Sequence, residues 1–333
     1  MTLKQLVTDG IATIAALPAN NAITMHDLNK YIGYTVPLIA HDYAAKTPQL
    51  WNALYARLNL PYRNIMLVAN PENIPIIFAA FRKDPKYLGG GAGVGFKEKV
   101  IPYLDKVVPE DLKSVNIIVK EQGLLVGYNT DAKGLYLSVE QELMKLNKSV
   151  NGSAVVLIGA GGVAKEFAKH LAEHGARRIA IINRTVWKAT TLAHDLSTTF
   201  GIESYAVPED SIRGAVLNTI VKPDIIVNTS DKGSDALPET AAFAAEGPTN
   251  NTQSLELLRN LYLFNPDVVL IDIVLPQRRS ITLRLAESAK LEHLVDGTPM
   301  VINQAAPAFK LVADAHPGHG GGLSEAEILE YMT

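Results

Sequence analysis

Short apolar runs alternate with helical apolar spacing along the second half of the chain. Four runs, at 155–158, 179–182, 224–227 and 268–271, are mostly aliphatic and β-branched. Such runs are typical of parallel strands that are buried on both faces. Helical spacing separates them and returns at 280–290. This order predicts an α/β domain in which helices connect the strands of a parallel sheet.

The first 130 residues show the same alternation in shorter pieces, which predicts a small α/β sheet separate from the later one. The predicted strands are 31–40, broken at Pro37, and 63–68, and the predicted helices are 48–58 and 74–81. Residues 1–30 combine helical spacing with a linker at 17–21, which indicates a packing or dimerisation helix. Two closing helices are predicted at 300–312 and 324–331.

A glycine-rich segment precedes one lysine in the first half. Five of the seven residues from 89 to 95 are glycine, which either lets the backbone approach another group or makes a flexible loop. Lys97 follows at the start of a predicted short helix, 97–104. Because most lysines lie on the surface, this segment alone does not distinguish a catalytic Lys97 from a surface residue.

A predicted hairpin leads to a carboxylate with two possible roles. Its strands are 114–119 and 124–127. Thr130 or Asp131 then caps a helix that continues to Leu146. Asp131 can therefore be an N-cap, a catalytic carboxylate, or both.

A glycine motif follows the first strand of the parallel domain. Strand 155–158 leads into the turn GAGGVA at 159–164 and then into helical spacing. In this context the G-x-G-x-x-A pattern predicts a dinucleotide site, although a plain tight turn would use the same glycines. Gly159 allows the turn, Gly161 lets the backbone approach a pyrophosphate, and Ala164 lets the helix pack on the strand. The first N–H groups of the helix then face the phosphates.

The end of the second strand indicates which dinucleotide binds. An NAD site usually carries Asp or Glu there, whereas a cation suits the 2′-phosphate of NADP. Here Asn183, Arg184 and Thr185 follow the strand, and Lys188 lies one turn into the next helix. Arg184 can stack on adenine and bind phosphate oxygens. A solvated surface arginine is the alternative, and NADP(H) is the cofactor that we expect.

Composition narrows the class of protein. With 333 residues, 47% hydrophobic and 20% charged, the chain has the size for two domains and an ordinary globular composition. A net charge of −3 gives no electrostatic case for nucleic acid or an anionic membrane as partner. The absence of cysteine excludes thiolate nucleophiles and disulfides. No apolar run is long enough to cross a bilayer and no signal pattern is present, so we expect a cytoplasmic enzyme.

Several short motifs follow one another in an order that is informative as a whole. They are Phe96-Lys97-Glu98, Ser114-Val115-Asn116, Gly127-Tyr128-Asn129-Thr130-Asp131, the turn at 159–164, Asn183-Arg184-Thr185, Asn228-Thr229-Ser230 and Gln304 within 300–306. In this order they resemble the shikimate dehydrogenase family, including its quinate dehydrogenase and shikimate dehydrogenase-like branches, over roughly residues 30–315.

The resemblance implies two domains, an α/β substrate domain (1–131 plus 303–333) and a Rossmann NADP-binding domain (132–302). The C-terminal helices return to the first domain, and the active site lies in the cleft between the two. The implied substrate-binding residues are Asn116, Tyr128, Thr130 and Gln304, of which Asn116 and Gln304 hold ring hydroxyls. The implied cofactor-binding residues are Gly159, Gly161, Gly162, Val163, Ala164, Asn183, Arg184, Thr185, Lys188, Asn228 and Thr229.

The implied reaction is the NADP-dependent interconversion of shikimate and 3-dehydroshikimate, with Lys97 and Asp131 as the catalytic pair. Reduction of a ketone needs a hydride from nicotinamide and a proton for the oxygen. An ammonium at Lys97 can polarise that oxygen and supply the proton, and a carboxylate at Asp131 favours the charged lysine.

Some positions depart from the family pattern. The family's His-Ser-x-Ser-Pro segment, whose two serines hold the substrate carboxylate, corresponds to 40–48, which has no serine pair. Asp42 would repel a carboxylate there unless His41, Tyr43 or Lys46 compensates. Further departures are Gly91-Ala92-Gly93-Val94-Gly95 in place of Asn-Val-Thr-x-Pro, Ala132 in place of glycine and Leu275 in place of tyrosine.

These departures leave the substrate open. Quinate or another hydroxylated ring acid is the close alternative, and a non-catalytic NADPH-binding sensor is the distant one. Four retained polar side chains of the right type favour an enzyme. We expect a small-molecule ring hydroxy acid as partner, and a monomer or a homodimer. His316 and His319 lie in a glycine-rich stretch without an acid cluster, which favours a loop over a metal site.

Overall fold

The structure, a computed structural model, consists of two compact units. One comprises Met1–Asp131 and Val301–Thr333, and the other comprises Ala132–Met300. The return to the first unit thus falls at Val301, whereas the resemblance implied residue 303. The residues that the structure describes are 2–16, 27–42, 45–93, 95–217, 222–244, 251–275 and 279–333.

Among the described residues before 131, the first unit has two sheets and three α-helices. Its helices are α1 (Leu3–Thr8), α2 (Thr47–Arg57) and α3 (Ile74–Lys83). Its strands are β1 (Ala12–Ile14), β2 (Gly33–Thr35), β3 (Leu38–Ile39), β4 (Tyr62–Asn64), β5 (Leu67–Ala69), β6 (Tyr87–Gly91), β7 (Lys106–Val107), β8 (Ile117–Glu121) and β9 (Leu124–Tyr128). The main sheet has the order β4-β2-β6-β8-β9-β7, and β2 pairs in parallel with both β4 and β6. A smaller sheet has the order β1-β5-β3.

Two predicted strands of this unit are each split between the two sheets. The predicted strand 31–40 forms β2 and β3 on either side of Pro37, and the predicted strand 63–68 corresponds to β4 and β5. Proline cannot donate a ladder hydrogen bond, which accounts for the first break. The N-terminal helical pattern yields only α1 before β1 begins, and the linker at 17–21 lies outside the described residues.

The glycine-rich segment begins as a strand. Gly89 and Gly90 belong to β6, and a Cβ at Gly90 would lie 2.2 Å from the carbonyl oxygen of Val36. This close approach requires glycine. The predicted helix at 97–104 is wrong, because the chain forms turns there and then one 3₁₀ turn, Ile101–Tyr103. The carbonyl oxygen of Lys97 accepts from the N–H of Val115, 2.8 Å away, and so takes no part in a helix.

The second unit is a doubly wound parallel sheet. Its strands are β10 (Ala154–Ile158), β11 (Arg178–Ile182), β12 (Glu203–Val207), β13 (Ile225–Asn228), β14 (Val269–Asp272) and β15 (Leu294–Asp296). Its helices are α5 (Gly162–Glu173), α6 (Val186–Phe200), α7 (Ile212–Val216), α8 (Asn251–Phe264) and α9 (Ile281–Ser288), and α4 (Asp131–Lys145) leads into it. The order β12-β11-β10-β13-β14-β15, all parallel, is that of a Rossmann sheet.

Alternate residues of the central strands face two cores. Val155 and Leu157 belong to a cluster that includes Phe167 of α5. Val156 and Ile158 belong to a second cluster with Leu258 and other residues of α8 and α9. Because both faces of β10 are covered, its sequence is a continuous apolar run rather than an alternating one.

Two C-terminal helices complete the first unit. They are α10 (Thr298–Ala315), which enters this unit at Val301, and α11 (Glu325–Met332). Phe309 of α10 packs edge-on against Trp51 of α2, with ring centroids 5.2 Å apart. Ile328 of α11 joins the same buried cluster. Within the described part of the chain, no helix has the length and apolar content needed to span a membrane.

Candidate active site

A pocket of about 150 Å³ opens in the first unit, where the parallel strands β2, β4 and β6 end. Its polar wall is formed by Thr47, Asn64, Lys97, Asn116, Asp131 and Gln304. Its apolar wall includes Ile39, Trp51 and Met66. Ligand sites of α/β sheets commonly lie at the carboxyl ends of the strands, so this pocket is the candidate substrate site.

Lys97 and Asp131 form an ion pair on the pocket wall. Lys97 Nζ donates to Asp131 Oδ2 at 2.5 Å, and Asn116 Nδ2 donates to Asp131 Oδ1 at 2.8 Å. The Asp131 side chain is 9% exposed and that of Lys97 is 39% exposed. The lysine therefore reaches the open pocket, while the carboxylate behind it is nearly buried.

Local backbone contacts position both members of the pair. Asn129 Oδ1 accepts from the backbone N–H of Asp131 at 2.9 Å, a turn that starts α4. Asn129 also donates to the carbonyl oxygen of Ser114 at 2.7 Å. Phe96, the residue before Lys97, is fully buried and anchors the backbone at this point. The carboxylate of Asp131 is thus directed at Lys97 and Asn116 from a fixed helix start.

A second set of polar contacts links Asn116 to α10. Gln304 Oε1 accepts from Asn116 Nδ2 at 3.2 Å and from Thr130 Oγ1 at 3.0 Å. Gln304 Nε2 donates to Thr47 Oγ1 at 3.3 Å. Thr47 was not foreseen from the sequence as a site residue, although it directly precedes Pro48, as a serine precedes proline in the family segment.

Tyr128 and Thr130 lie behind the pocket wall. Thr130 is 5% exposed, and its N–H donates to Asn116 Oδ1 at 2.9 Å, so it supports Asn116. The Tyr128 hydroxyl donates to Glu121 at 2.5 Å. Burial, together with this carboxylate, raises the pKa of Tyr128 above its usual value. Neither side chain is on the wall of the pocket in the structure.

The segment with the missing serine pair has a different arrangement from the family pattern. Asp42 Oδ2 accepts from the N–H of Ala16 at 2.8 Å and is exposed, as are His41 and Lys46. Ala45 and Thr47 are the residues of this segment on the described part of the wall, together with Pro48. Tyr43, named as a compensating group, lies outside the described residues.

The second unit holds a larger cavity of about 450 Å³ at the carboxyl ends of β10 and β11. Of the expected cofactor-binding residues, Gly159, Asn183, Arg184, Thr185 and Lys188 lie on its wall. The sequence pattern of strand, glycine turn and cation therefore brings these groups to one cavity.

The turn between β10 and α5 has the geometry of a phosphate loop. Gly159 has φ +109°, and a Cβ there would lie 2.7 Å from Thr229 Oγ1. A Cβ at Gly161 would meet nothing within 4 Å, so the space beside this residue is open. Gly161 is the N-cap of α5 and provides no side-chain cap, while Gly162 is exposed, Val163 is half-buried and Ala164 is packed in the core. The first N–H groups of α5 can therefore receive an anion.

The cation side of this cavity fits a phosphate on the ribose. Asn183 Oδ1 accepts from the N–H of Ala160 at 3.1 Å, which holds the end of β11 to the glycine turn. Arg184 and Lys188 are exposed beside it. Glu209 also lines this wall, but it forms an ion pair with Lys232, which is buried and also donates to the carbonyl oxygen of Ala244. Glu209 and Lys232 come from other loops of the sheet, so no local signal pointed to them.

Asn228 and Thr229 support the turn rather than lining the cavity. Asn228 is fully buried, and its amide donates to Asp272 Oδ1 at 2.9 Å. Burial raises the pKa of Asp272, and hydrogen bonds from Ser280 and Asn228 oppose this shift. Thr229 Oγ1 donates to the carbonyl oxygen of Ile158 at 2.9 Å.

Comparison with known proteins gives one consistent result. The family model Shikimate / quinate 5-dehydrogenase matches residues 141–229. Shikimate dehydrogenase (NADP(+)) of Halothermothrix orenii is 30% identical over 275 residues, which cover 81% of this chain and 87% of that protein.

Solved structures agree over nearly the whole chain. Shikimate 5-dehydrogenase of Listeria monocytogenes, in complex with shikimate and NAD, aligns with a TM-score of 0.69 at 20% identity and covers 94% of this chain and 99% of that one. The Thermus thermophilus enzyme, in complex with NADP(H) and shikimate, aligns with a TM-score of 0.63 at 25% identity and covers 90% and 98%. The predicted two-domain α/β fold with a Rossmann sheet is confirmed.

Proposed function

Because this chain belongs to the shikimate dehydrogenase family, an NADP-dependent dehydrogenase family, we propose that it interconverts shikimate and 3-dehydroshikimate with NADP(H). The observation that carries the proposal is the Lys97–Asp131 ion pair on the wall of a pocket that also presents Asn116 and Gln304. These are the groups that a reversible alcohol oxidation needs at its proton-transfer end.

Lys97 serves as the proton donor and acceptor. In reduction, the Nζ ammonium gives a proton to the oxygen that becomes the alcohol. In oxidation, the neutral amine takes the proton from the hydroxyl. Because Asp131 lies 2.5 Å from Nζ, its negative charge favours the ammonium and fixes its position. Such acid–base assistance is worth about 10²–10⁴ in rate.

Asn116, Gln304 and Thr47 orient the ring. Their mutual contacts, at 3.2 Å and 3.3 Å, are the longer hydrogen bonds of the site, and the hydroxyls of a bound substrate can replace them. The amide groups of Asn116 and Gln304 each offer donors and acceptors, so they suit hydroxyls, which need both. Trp51 and Ile39 supply the apolar surface that excludes water.

The second unit supplies the residues that would hold the cofactor. The N–H groups at the start of α5 and the open side of Gly161 suit the pyrophosphate, and Arg184 and Lys188 suit the 2′-phosphate. When bound, NADPH supplies the hydride and NADP⁺ accepts it. The buried Lys232 keeps the charge of Glu209 compensated, so Arg184 remains available for an anion.

Quinate or another hydroxylated ring acid is the second candidate. Its support is the missing serine pair, since Ala45 stands on the pocket wall and Thr47 is the one hydroxyl of this segment found there among the described residues. A non-catalytic NADPH sensor has less support, because a site without chemistry has no need of a lysine–carboxylate pair joined to two amides.

The test is reduction of NADP⁺ or NAD⁺ by the purified protein with shikimate or quinate. The proposal predicts turnover of shikimate with a clear preference for NADP⁺. Turnover of quinate alone would move the assignment to the second candidate. Tight NADPH binding without turnover of either acid would support the sensor and refute the proposed reaction.

A further inference from the structure

Asn64 is a buried polar residue on the pocket wall to which neither the family pattern nor the reaction assigns a role. It ends β4, is 1% exposed and lines the same pocket as Lys97. Asn52 clamps its backbone, because Asn52 Oδ1 accepts from the N–H of Asn64 at 2.8 Å and Asn52 Nδ2 donates to its carbonyl oxygen at 3.1 Å. The backbone of Asn64 is therefore fixed.

A chain of buried hydrogen bonds holds the Asn64 side chain in place. Asn64 Nδ2 donates to Thr35 Oγ1 at 2.9 Å, Thr35 is hydrogen-bonded to the Tyr55 hydroxyl, and that hydroxyl lies 2.7 Å from His319 Nε2. All four side chains are at most 2% exposed. With Nδ2 on Thr35, Oδ1 is the amide atom that remains for another partner.

Asn64 Oδ1 has no hydrogen-bond partner, although it is buried. An unsatisfied buried acceptor is rare, because it loses its hydrogen bonds to water without replacement, and each case calls for an explanation. The other polar atoms of this residue are all satisfied by Asn52 and Thr35. Because Asn64 lines the pocket, a donor bound there can supply the missing partner.

We propose that Asn64 is a substrate-recognition residue whose Oδ1 accepts a hydrogen bond from a ring hydroxyl other than the one that reacts at Lys97. This inference rests on the proposed function, because it concerns the same pocket. It also gives the chemical character of this part of the site. A carboxylate offers no donor and would face an acceptor there, so an uncharged, hydroxyl-bearing part of the substrate lies against Asn64.

Neighbouring groups on the wall agree with this character. Lys97 is the cation among the described residues of the wall, and its charge is already matched by Asp131. Ala45 and Met66, on the same wall, bring no donor for a carboxylate. The substrate carboxylate is therefore held by groups other than those around Asn64.

The experiment combines variants of Asn64 with substrates that lack one hydroxyl, so that the loss caused by each variant is measured with and without that hydroxyl. Wild type, Asn64→Leu and Asn64→Asp are assayed for kcat/KM with NADP⁺ on shikimate and on analogues that lack the C4 or the C5 hydroxyl. Asn64→Asp keeps an acceptor oxygen and is the matched control. Asn64→Ala replaces the leucine variant if that variant fails to fold. Binding of NADPH is measured in each protein as a check on the second unit.

We expect the leucine variant to lose about 10- to 100-fold in kcat/KM on shikimate, mostly through KM. On one of the two deoxy analogues its kcat/KM should equal that of wild type, because that analogue already lacks the hydroxyl that Asn64 binds. Asn64→Asp should still distinguish shikimate from that analogue. Equal losses on all three substrates would overturn the inference while leaving the proposed reaction intact. Failure of wild type to oxidise shikimate would instead refute the proposed function, and this inference with it.

Discussion

Replacing Arg184 with alanine should remove most of the preference for NADPH over NADH. Arg184 is exposed on the wall of the 450 Å³ cavity, beside the end of β11, and Lys188 lies one helical turn further on. Two carboxylates share this wall, Glu209, which pairs with Lys232, and Asp231, which is exposed to solvent. Among the described residues of this wall, Arg184 and Lys188 are the cations outside the Glu209–Lys232 pair, and they can hold a 2′-phosphate.

The size of the effect follows from exposure. Two unit charges 4 Å apart interact by about 1 kcal/mol in water and about 4 kcal/mol near a protein surface of lower effective dielectric constant. Because both cations are exposed, the lower part of this range applies, about 1–2 kcal/mol for each. At about 1.4 kcal/mol for each tenfold change, Arg184→Ala should weaken NADPH binding about 10-fold, and the double variant with Lys188→Ala about 100-fold.

Titration of the reduced cofactors by their fluorescence measures this directly and needs no substrate. NADPH and NADH are compared in wild type, Arg184→Ala and the double variant, at low and at high salt. The loss should be confined to NADPH and should shrink as salt screens the exposed charges. Arg259→Ala, an exposed position on α8 away from the cavity wall, is the control. An equal loss for NADH, or none for NADPH, would refute the assignment of the phosphate site.

Two further predictions concern the glycine turn and the buried histidine. Gly161→Val should keep the stability of wild type but lose NADPH binding, because its Cβ meets open space in the protein. Gly159→Ala should lose NADPH binding and also have a lower melting temperature, because Gly159 has a φ of +109°. Equal melting temperatures of the two variants would contradict this. Burial lowers the pKa of His319 from 6.5 to about 3, so the unfolded chain takes up the proton first and stability is lost as pH falls below 6.5. Between pH 7 and pH 5 this loss is about 2 kcal/mol, and His319→Gln, which cannot titrate, should reduce it in denaturant unfolding; an unchanged pH dependence would exclude His319 as its source.

The parallel half of the fold was readily predicted, because strands covered on both faces leave continuous apolar runs such as that of β10. The edge strand β12 was missed, since its residues are partly exposed and its sequence, ESYAV, lacks such a run. The strand β6 was missed for the opposite reason. Its glycines are there because Val36 and Ile118 approach too closely for a side chain, and that approach is not visible in the sequence.

The site was predicted where residue types follow a local pattern, and missed where folding alone brings them together. Lys97, Asn116 and Gln304 are far apart in the chain and were found through the family motifs, and the structure brings them to one wall. Glu209 and Asn64 carry no local signal. Their significance lies in a partner from another loop and in an unsatisfied oxygen, both of which depend on the folded chain.

The most direct test of the central claim is turnover by Lys97→Met and Asp131→Asn, with shikimate and NADP⁺, beside the exposed-lysine control Lys99→Met. Proton transfer by the pair predicts that kcat falls by about 10²–10⁴ in both variants, while NADPH binding and the control remain as in wild type. If either variant keeps kcat within about tenfold of wild type, the pair is not the acid–base device of this enzyme.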